Sequence, residues 1–226
     1  MRAPSGPHRA GSGLALLLIA WGVALGGYFG PWVGLRSAAL AWNAYDLFNL
    51  LRLLPQIETG ALVVNLYALR LPLLGLALWL PLFLSTTSPR WSRLGGGIGA
   101  GLALATLPTY PEIIGAWITP GWRVPFWWGV GGILGALALG FRGHALRGAR
   151  LWLGLAWGAL TGIPAIVTFH RLLPALSTLH ATEIRPGWGF WCALVGWLVM
   201  LATLWWHAIQ PQEVTLWNPS RIDSRS

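Results

Sequence analysis

Apolar residues run in long blocks separated by polar stretches, and six blocks predict helices long enough to cross a bilayer. They cover residues 13–33, 62–84, 94–110, 124–141, 151–169 and 189–209. A hydrocarbon layer of ~30 Å takes roughly 20 helical residues, so each block qualifies. Most of the breaks are short, which predicts that consecutive helices are antiparallel neighbours. Arg2 and Arg9 precede the first block as they would in a signal peptide. No small-x-small cleavage site follows cleanly, the apolar run continues through Gly27-Tyr28-Phe29-Gly30-Pro31-Trp32, and the expectation is a retained helix.

Residues 35–60 have a different pattern. Leu40, Ala44, Leu47, Phe48 and Leu51 fall on one helical face, while Asn43, Asp46, Asn49, Arg52 and Gln56 occupy the other half. So many polar side chains disfavour a lipid-facing span. The expectation is an amphipathic helix lying at the outer interface. The predicted fold class is therefore all-α: a polytopic membrane bundle of about six transmembrane helices plus one interfacial helix, forming a single domain.

Composition strengthens the membrane reading. Of the 226 residues, 55% are hydrophobic and 9% are charged, where a soluble domain carries about a quarter charged residues. The mean hydropathy is +0.60. The formal charge of +9 does not point to nucleic acid, because the arginines stand at block ends instead of on one solvated face. Anionic headgroups are the partner that this placement fits.

Arginine placement also predicts orientation. With the N-terminus inside, the inner side receives Arg2, Arg9, Arg90, Arg93, Arg142, Arg147, Arg150, Arg221 and Arg225. The outer side receives Arg36, Arg52, Arg70, Arg123, Arg171 and Arg185, together with Asp46, Glu58, Glu112 and Glu183. Residues 1–12 and 210–226 are then cytoplasmic tails, and the chain is a multi-pass protein of the cell's inner membrane.

Glycines four apart predict close helix packing at Gly22/Gly26/Gly30, Gly97/Gly101, Gly131/Gly135 and Gly154/Gly158/Gly162. A ridge left over after the bundle is packed would serve a homo- or hetero-oligomer. Seventeen tryptophans, most near block ends, suit an interfacial belt. Trp117, Trp122, Trp127 and Trp128 alternatively line a pocket at one outer turn.

Candidate chemistry is sparse. Arg70 lies inside the second block, where a charge is expensive and functional by default. It is expected either to pair with Glu58, Glu112 or Glu183, or to snorkel to headgroups. His180 and Glu183 are three apart in the outer turn 170–185, a spacing that shares a helix face and suits metal ligation, though no third ligand has diagnostic spacing. Arg70, Glu112, His180 and Glu183 thus form the candidate polar site. No hydrolase elbow or zinc-protease motif occurs, Cys192 is a lone thiol, and the sequence assigns no metal and no cofactor. The leading expectation is a non-catalytic membrane subunit or small permease-like protein. The alternatives are an enzyme acting at the outer face on a lipid or lipid-linked substrate, and a subunit that binds a small solute.

Overall fold

The computed structural model describes residues 8–34, 41–52, 57, 59–60, 62–109, 111–146 and 149–209, with side chains from residue 13 onward. Among the described residues the fold is essentially all-helical, with 77% helix in seven helices. Helix α1 (His8–Phe29) stops before Gly30-Pro31, where proline offers no N–H. A two-stranded antiparallel ribbon follows, β1 (Val33–Gly34) paired with β2 (Ala41–Trp42). The hydrophobic pattern did not predict it, because two-residue strands have too few positions to display alternation.

The short α2 (Ala44–Leu51) is capped by Asn43, whose side-chain oxygen accepts from the N–H of Asp46 at 2.8 Å. Next come a 3₁₀ turn (Leu66–Leu69) and α3 (Leu71–Leu84), then α4 (Pro89–Leu104) and α5 (Pro120–Arg142). After a second 3₁₀ turn (Gly143–Leu146), α6 (Arg150–His180) and α7 (Trp188–Ile209) complete the chain.

Each of the six predicted blocks contains a long helix, although residues 30–33, 62–65 and 105–109 lie outside the α-helices. Four stretches are long and apolar enough to cross a membrane: Leu66–Leu84, Pro120–Leu146, Arg150–His180 and Trp188–Ile209. Helix α4 ends at Leu104, short of the expected 110. Helix α6 continues to His180 instead of stopping at 169, so the predicted outer turn 170–185 is mostly helix. Ala165, Phe169, Leu172 and Leu176 extend one buried stripe through this region, which carries the helix past Pro174. Of the predicted apolar face on residues 35–60, Ala44, Leu47, Phe48 and Leu51 are all buried, while Leu35 to Leu40 lie outside the described residues.

The centre of the bundle is α3. Within its apolar window 83% of residues are buried, against 28–33% for α5, α6 and α7. Its sequence is apolar on every side, as a fully surrounded helix requires. Indole N–H groups tie its neighbours to it and to each other through backbone carbonyls. Trp21 donates to Leu76 O at 2.9 Å, Trp79 to Gly154 O at 2.9 Å, and Trp197 to Gly158 O at 3.2 Å.

The six long helices alternate in direction. Residues at the start of α1, the end of α3, the start of α6 and the end of α7 meet at one end, where Gly13, Thr86, Arg150 and His207 line a common cavity. The opposite end carries the ribbon, α2 and the start of α3. Outward faces are apolar along their length, with Ile19, Leu134, Leu160 and Leu198 each more than half exposed. Exposed tryptophans sit at two levels, Trp91, Trp152, Trp205 and Trp206 at the first end and Trp117, Trp127, Trp188 and Trp191 at the second. Trp32, read from the sequence as interfacial, is instead buried between Phe169 and Phe190.

The glycine spacings divide into two groups. Gly154, Gly158 and Gly162 pack against Trp79, Leu204 and Trp197, and Gly30 against Trp188 and Gly189. Gly22, Gly26, Gly97, Gly101 and Gly131 face open space. Closest approach occurs at glycines outside the four-residue ridges: Gly27 and Gly196 bring the backbones of α1 and α7 together, and Gly99 brings α4 against Ala77 O of α3. Pro81 has no N–H for that Ala77 carbonyl, so the glycine approaches an acceptor its own helix leaves free.

Candidate functional site

The site grows from the 3₁₀ turn. Asn65 caps it, its side-chain oxygen accepting from the Tyr67 N–H at 3.2 Å, and the tight turn delivers Arg70 at the entry of α3. Arg70 is only 3% exposed. Its Nη1–H group donates to Thr106 O at 3.1 Å and to Leu107 O at 2.9 Å. These carbonyls lie just beyond the end of α4, where a helix leaves acceptors unpaired and its dipole is negative. Nη2–H donates to Asn49 Oδ1 of α2 at 3.2 Å. The guanidinium also lies 3.8 Å over the Phe48 ring and 5.1 Å from that of Tyr45. The cation is therefore solvated by carbonyl dipoles, one amide and aromatic faces.

Two buried groups near this junction have no hydrogen-bond partner among the described residues, Arg70 Nε and the Tyr28 hydroxyl. A second tier lies alongside. Arg52 stacks 3.9 Å over Trp122, and the Tyr67 hydroxyl donates to Gly121 O at 2.9 Å. Pro125, four residues after Gly121, cannot supply the helical N–H that this carbonyl would otherwise accept. Arg70, Tyr67, Asn65, Thr106, Gly121 and Trp128 are among the residues lining a partly open cavity of about 370 Å³.

The structure separates the four residues of the sequence-derived site. Arg70 does not snorkel, since it is buried, and it forms no ion pair among the described residues; Glu58 lies outside them. Helix-terminal carbonyls replace the expected carboxylate. Glu112 is half-buried in the turn before α5 and lies off the cavity wall. His180 is the last residue of α6, and Ala181 breaks the helix with a φ of 49°. His180 and Glu183 therefore do not share a helix face. The His180 ring packs 5.4 Å from that of Trp42, its Nε2 buried without a partner. Glu183 is exposed and bound by Arg185 at 3.0 and 3.2 Å. That guanidinium holds the carboxyl below its ordinary range and is itself held above its own. Such an exposed pair contributes little to stability. Among the described residues, no three His, Cys, Asp or Glu side chains gather as a metal site.

Asn49 stands on the polar half of the 35–60 helix, and from there its Oδ1 accepts from the buried Arg70. The tryptophan cluster is divided: Trp128 lines the cavity, Trp122 supports Arg52, and Trp117 is exposed. Gly121-x-x-x-Pro125 is the local signal that marks a free carbonyl here. At the opposite end of the bundle, Thr86, Thr87, Arg150 and His207 line a second cavity of about 580 Å³.

No protein family matches the chain, and neither the curated proteins nor the solved structures include a match.

Proposed function

We propose that the chain is a polytopic, non-catalytic membrane subunit or small permease-like protein whose Arg70 cavity binds an anionic, acceptor-bearing ligand. One observation carries the reading: a buried guanidinium, without an acidic partner among the described residues, keeps a spare N–H and borders a cavity. A buried cation favours any site that supplies negative charge. The enzyme reading has less support, because Glu112, His180 and Glu183 all lie off the cavity wall and the Tyr67 hydroxyl on it is engaged by Gly121 O. General acid–base work needs a titrating group within hydrogen-bond reach. The test is thermal stability of purified protein in neutral detergent against a panel of phosphates and carboxylates. At least one anion is expected to raise the melting temperature with saturable dose dependence. A flat response across the panel sinks the reading.

In the bilayer we take the six long helices as spans, with α2 at the outer interface and both chain ends cytoplasmic. At ~12 Å, an eight-residue helix cannot cross. Among the described residues the acids Asp46, Glu112 and Glu183 all belong to the Arg70 end, with Arg52, Arg70, Arg123, Arg171 and Arg185, whereas Arg90, Arg93, Arg142 and Arg150 stand at the other end without an acid. The orientation rests on this difference in net charge and on the three arginines of residues 142–150. Single cysteines at Thr86 and Thr119, in a Cys192→Ser background, are expected to label from opposite sides in intact cells, Thr119 from outside. Labelling of both from one side overturns the orientation.

A further inference from the structure

The Arg70 cavity does not end at Arg70. A neighbouring cavity of about 500 Å³ shares Leu74, Val124 and Trp128 with it and continues along α3 past Leu78 to Trp157 of α6. From Arg70 to Leu78 is eight residues, about 12 Å of groove along the helix. The first part holds Asn65, Arg70 and Thr106, whereas beyond Leu74 the wall is mostly valine, leucine, tryptophan and glycine, with the exposed Arg123 and the Trp157 indole as its polar members. Trp157 Nε1 is a second buried donor without a partner. Two residues with a buried N–H that has no partner among the described residues thus line the groove, Arg70 at its head and Trp157 deeper in, and the remainder is largely apolar. Its outer lip, Trp127 and Trp128, is about half exposed and belongs to the apolar exterior of the bundle.

We propose that this groove is a lipid slot, in which the phosphodiester of a membrane lipid with a net negative headgroup accepts from Arg70 and one acyl chain lies along α3 to Trp157. The proposal rests on the anion-binding reading above and specifies its ligand. A buried cation that meets only neutral dipoles is complemented by a full negative charge. An apolar groove opening onto an apolar exterior is complemented by hydrocarbon, not by a freely soluble anion. An ester carbonyl along the chain is the acceptor that Trp157 Nε1 lacks.

Gly131 provides the means to separate chain from head. It lines the deeper part of the groove, and a side chain built there meets nothing within 4 Å. Gly131→Leu therefore fills the slot without disturbing the Arg70 junction, and it exchanges a poor helix former for a good one. Native mass spectrometry and thermal shift of the full chain in neutral detergent would compare dioleoyl phosphatidylglycerol, dioleoyl phosphatidylcholine, dioleoylglycerol and inorganic phosphate. Phosphatidylglycerol is expected to bind about tenfold or more tightly than either other lipid, and Gly131→Leu to lose that preference while melting no lower than wild type. Equal binding of the two phospholipids overturns the recognition of an anionic head. Inorganic phosphate acting as strongly as the lipid, or Gly131→Leu binding it unchanged, overturns the slot and leaves a simple anion cavity. Failure of every probe removes both readings.

Discussion

Replacing Arg70 with alanine is expected to cost about 3–5 kcal/mol of stability and to free α2 from the bundle. The guanidinium ties three elements together: its own α3, the end of α4 through Thr106 O and Leu107 O, and α2 through Asn49 and Phe48. Removing it orphans two carbonyls, each at about 1–3 kcal/mol when buried, and forfeits a cation–π contact of roughly 1–2 kcal/mol. Some recovery comes from no longer desolvating a charge, which keeps the net below the simple sum. Denaturation followed by tryptophan fluorescence gives the magnitude, and limited proteolysis near residues 52–62 gives the release of α2. Arg70→Lys should fall between, because one ammonium cannot span both carbonyls and stack on Phe48 as the planar fork does. A loss below about 1 kcal/mol for the alanine variant would mean that α4 is capped by something else.

Gly27→Ala and Gly26→Ala, one residue apart, are expected to have opposite effects. A Cβ at Gly27 collides with the backbone N of Ala193 and stands 2.7 Å from Gly189 O. Both obstacles are main chain, so α1 and α7 must separate along their whole contact, at a cost of about 3 kcal/mol or more. A Cβ at Gly26 meets nothing within 4 Å. That substitution should be neutral or stabilise by up to ~1 kcal/mol through helix propensity. Melting temperatures of the two variants in the same detergent decide it. Equal effects would mean that α1 does not pack against α7 through Gly27.

These two predictions also mark where sequence reasoning succeeded and where it stopped. Length and apolarity were enough to find all six long helices and to single out Arg70, because burying hydrophobic runs and charging few positions are properties of the one-dimensional string. The register of glycine against glycine was not available in the same way. Spacing of four selected Gly154, Gly158 and Gly162, which pack against neighbouring side chains, but also Gly22 and Gly26, which face outward, and it passed over Gly27, Gly99 and Gly196, where backbones meet. A four-residue repeat defines a face but not which way it turns. Arg70 had a similar limit: its burial cost was evident, but its solution was not. Backbone carbonyls at a helix end are present in every helix and leave no residue signature, so a search for acidic partners led to Glu112 and Glu183 instead. Likewise, the polar half of α2 was legible, but not that one of its members, Asn49, accepts from a buried cation.

The centrality of α3 has a consequence for how the chain assembles. Apart from α1, the helices that enclose it, α4, α5 and α6, lie after it in the sequence. Synthesis proceeds from the N-terminus, so on the membrane reading α3 enters the bilayer before most of its final surroundings exist. Between Leu71 and Leu84 it carries no polar side chain beyond the single indole of Trp79, and hydrocarbon solvates leucine as well as a protein interior does. The helix can therefore wait in lipid with only the Ala77 carbonyl and the Trp79 N–H left unpaired, and be enclosed later by neighbours that recognise its shape more than its polarity. Seen this way, the uniform Leu71–Leu84 surface makes α3 the template on which the later helices are laid.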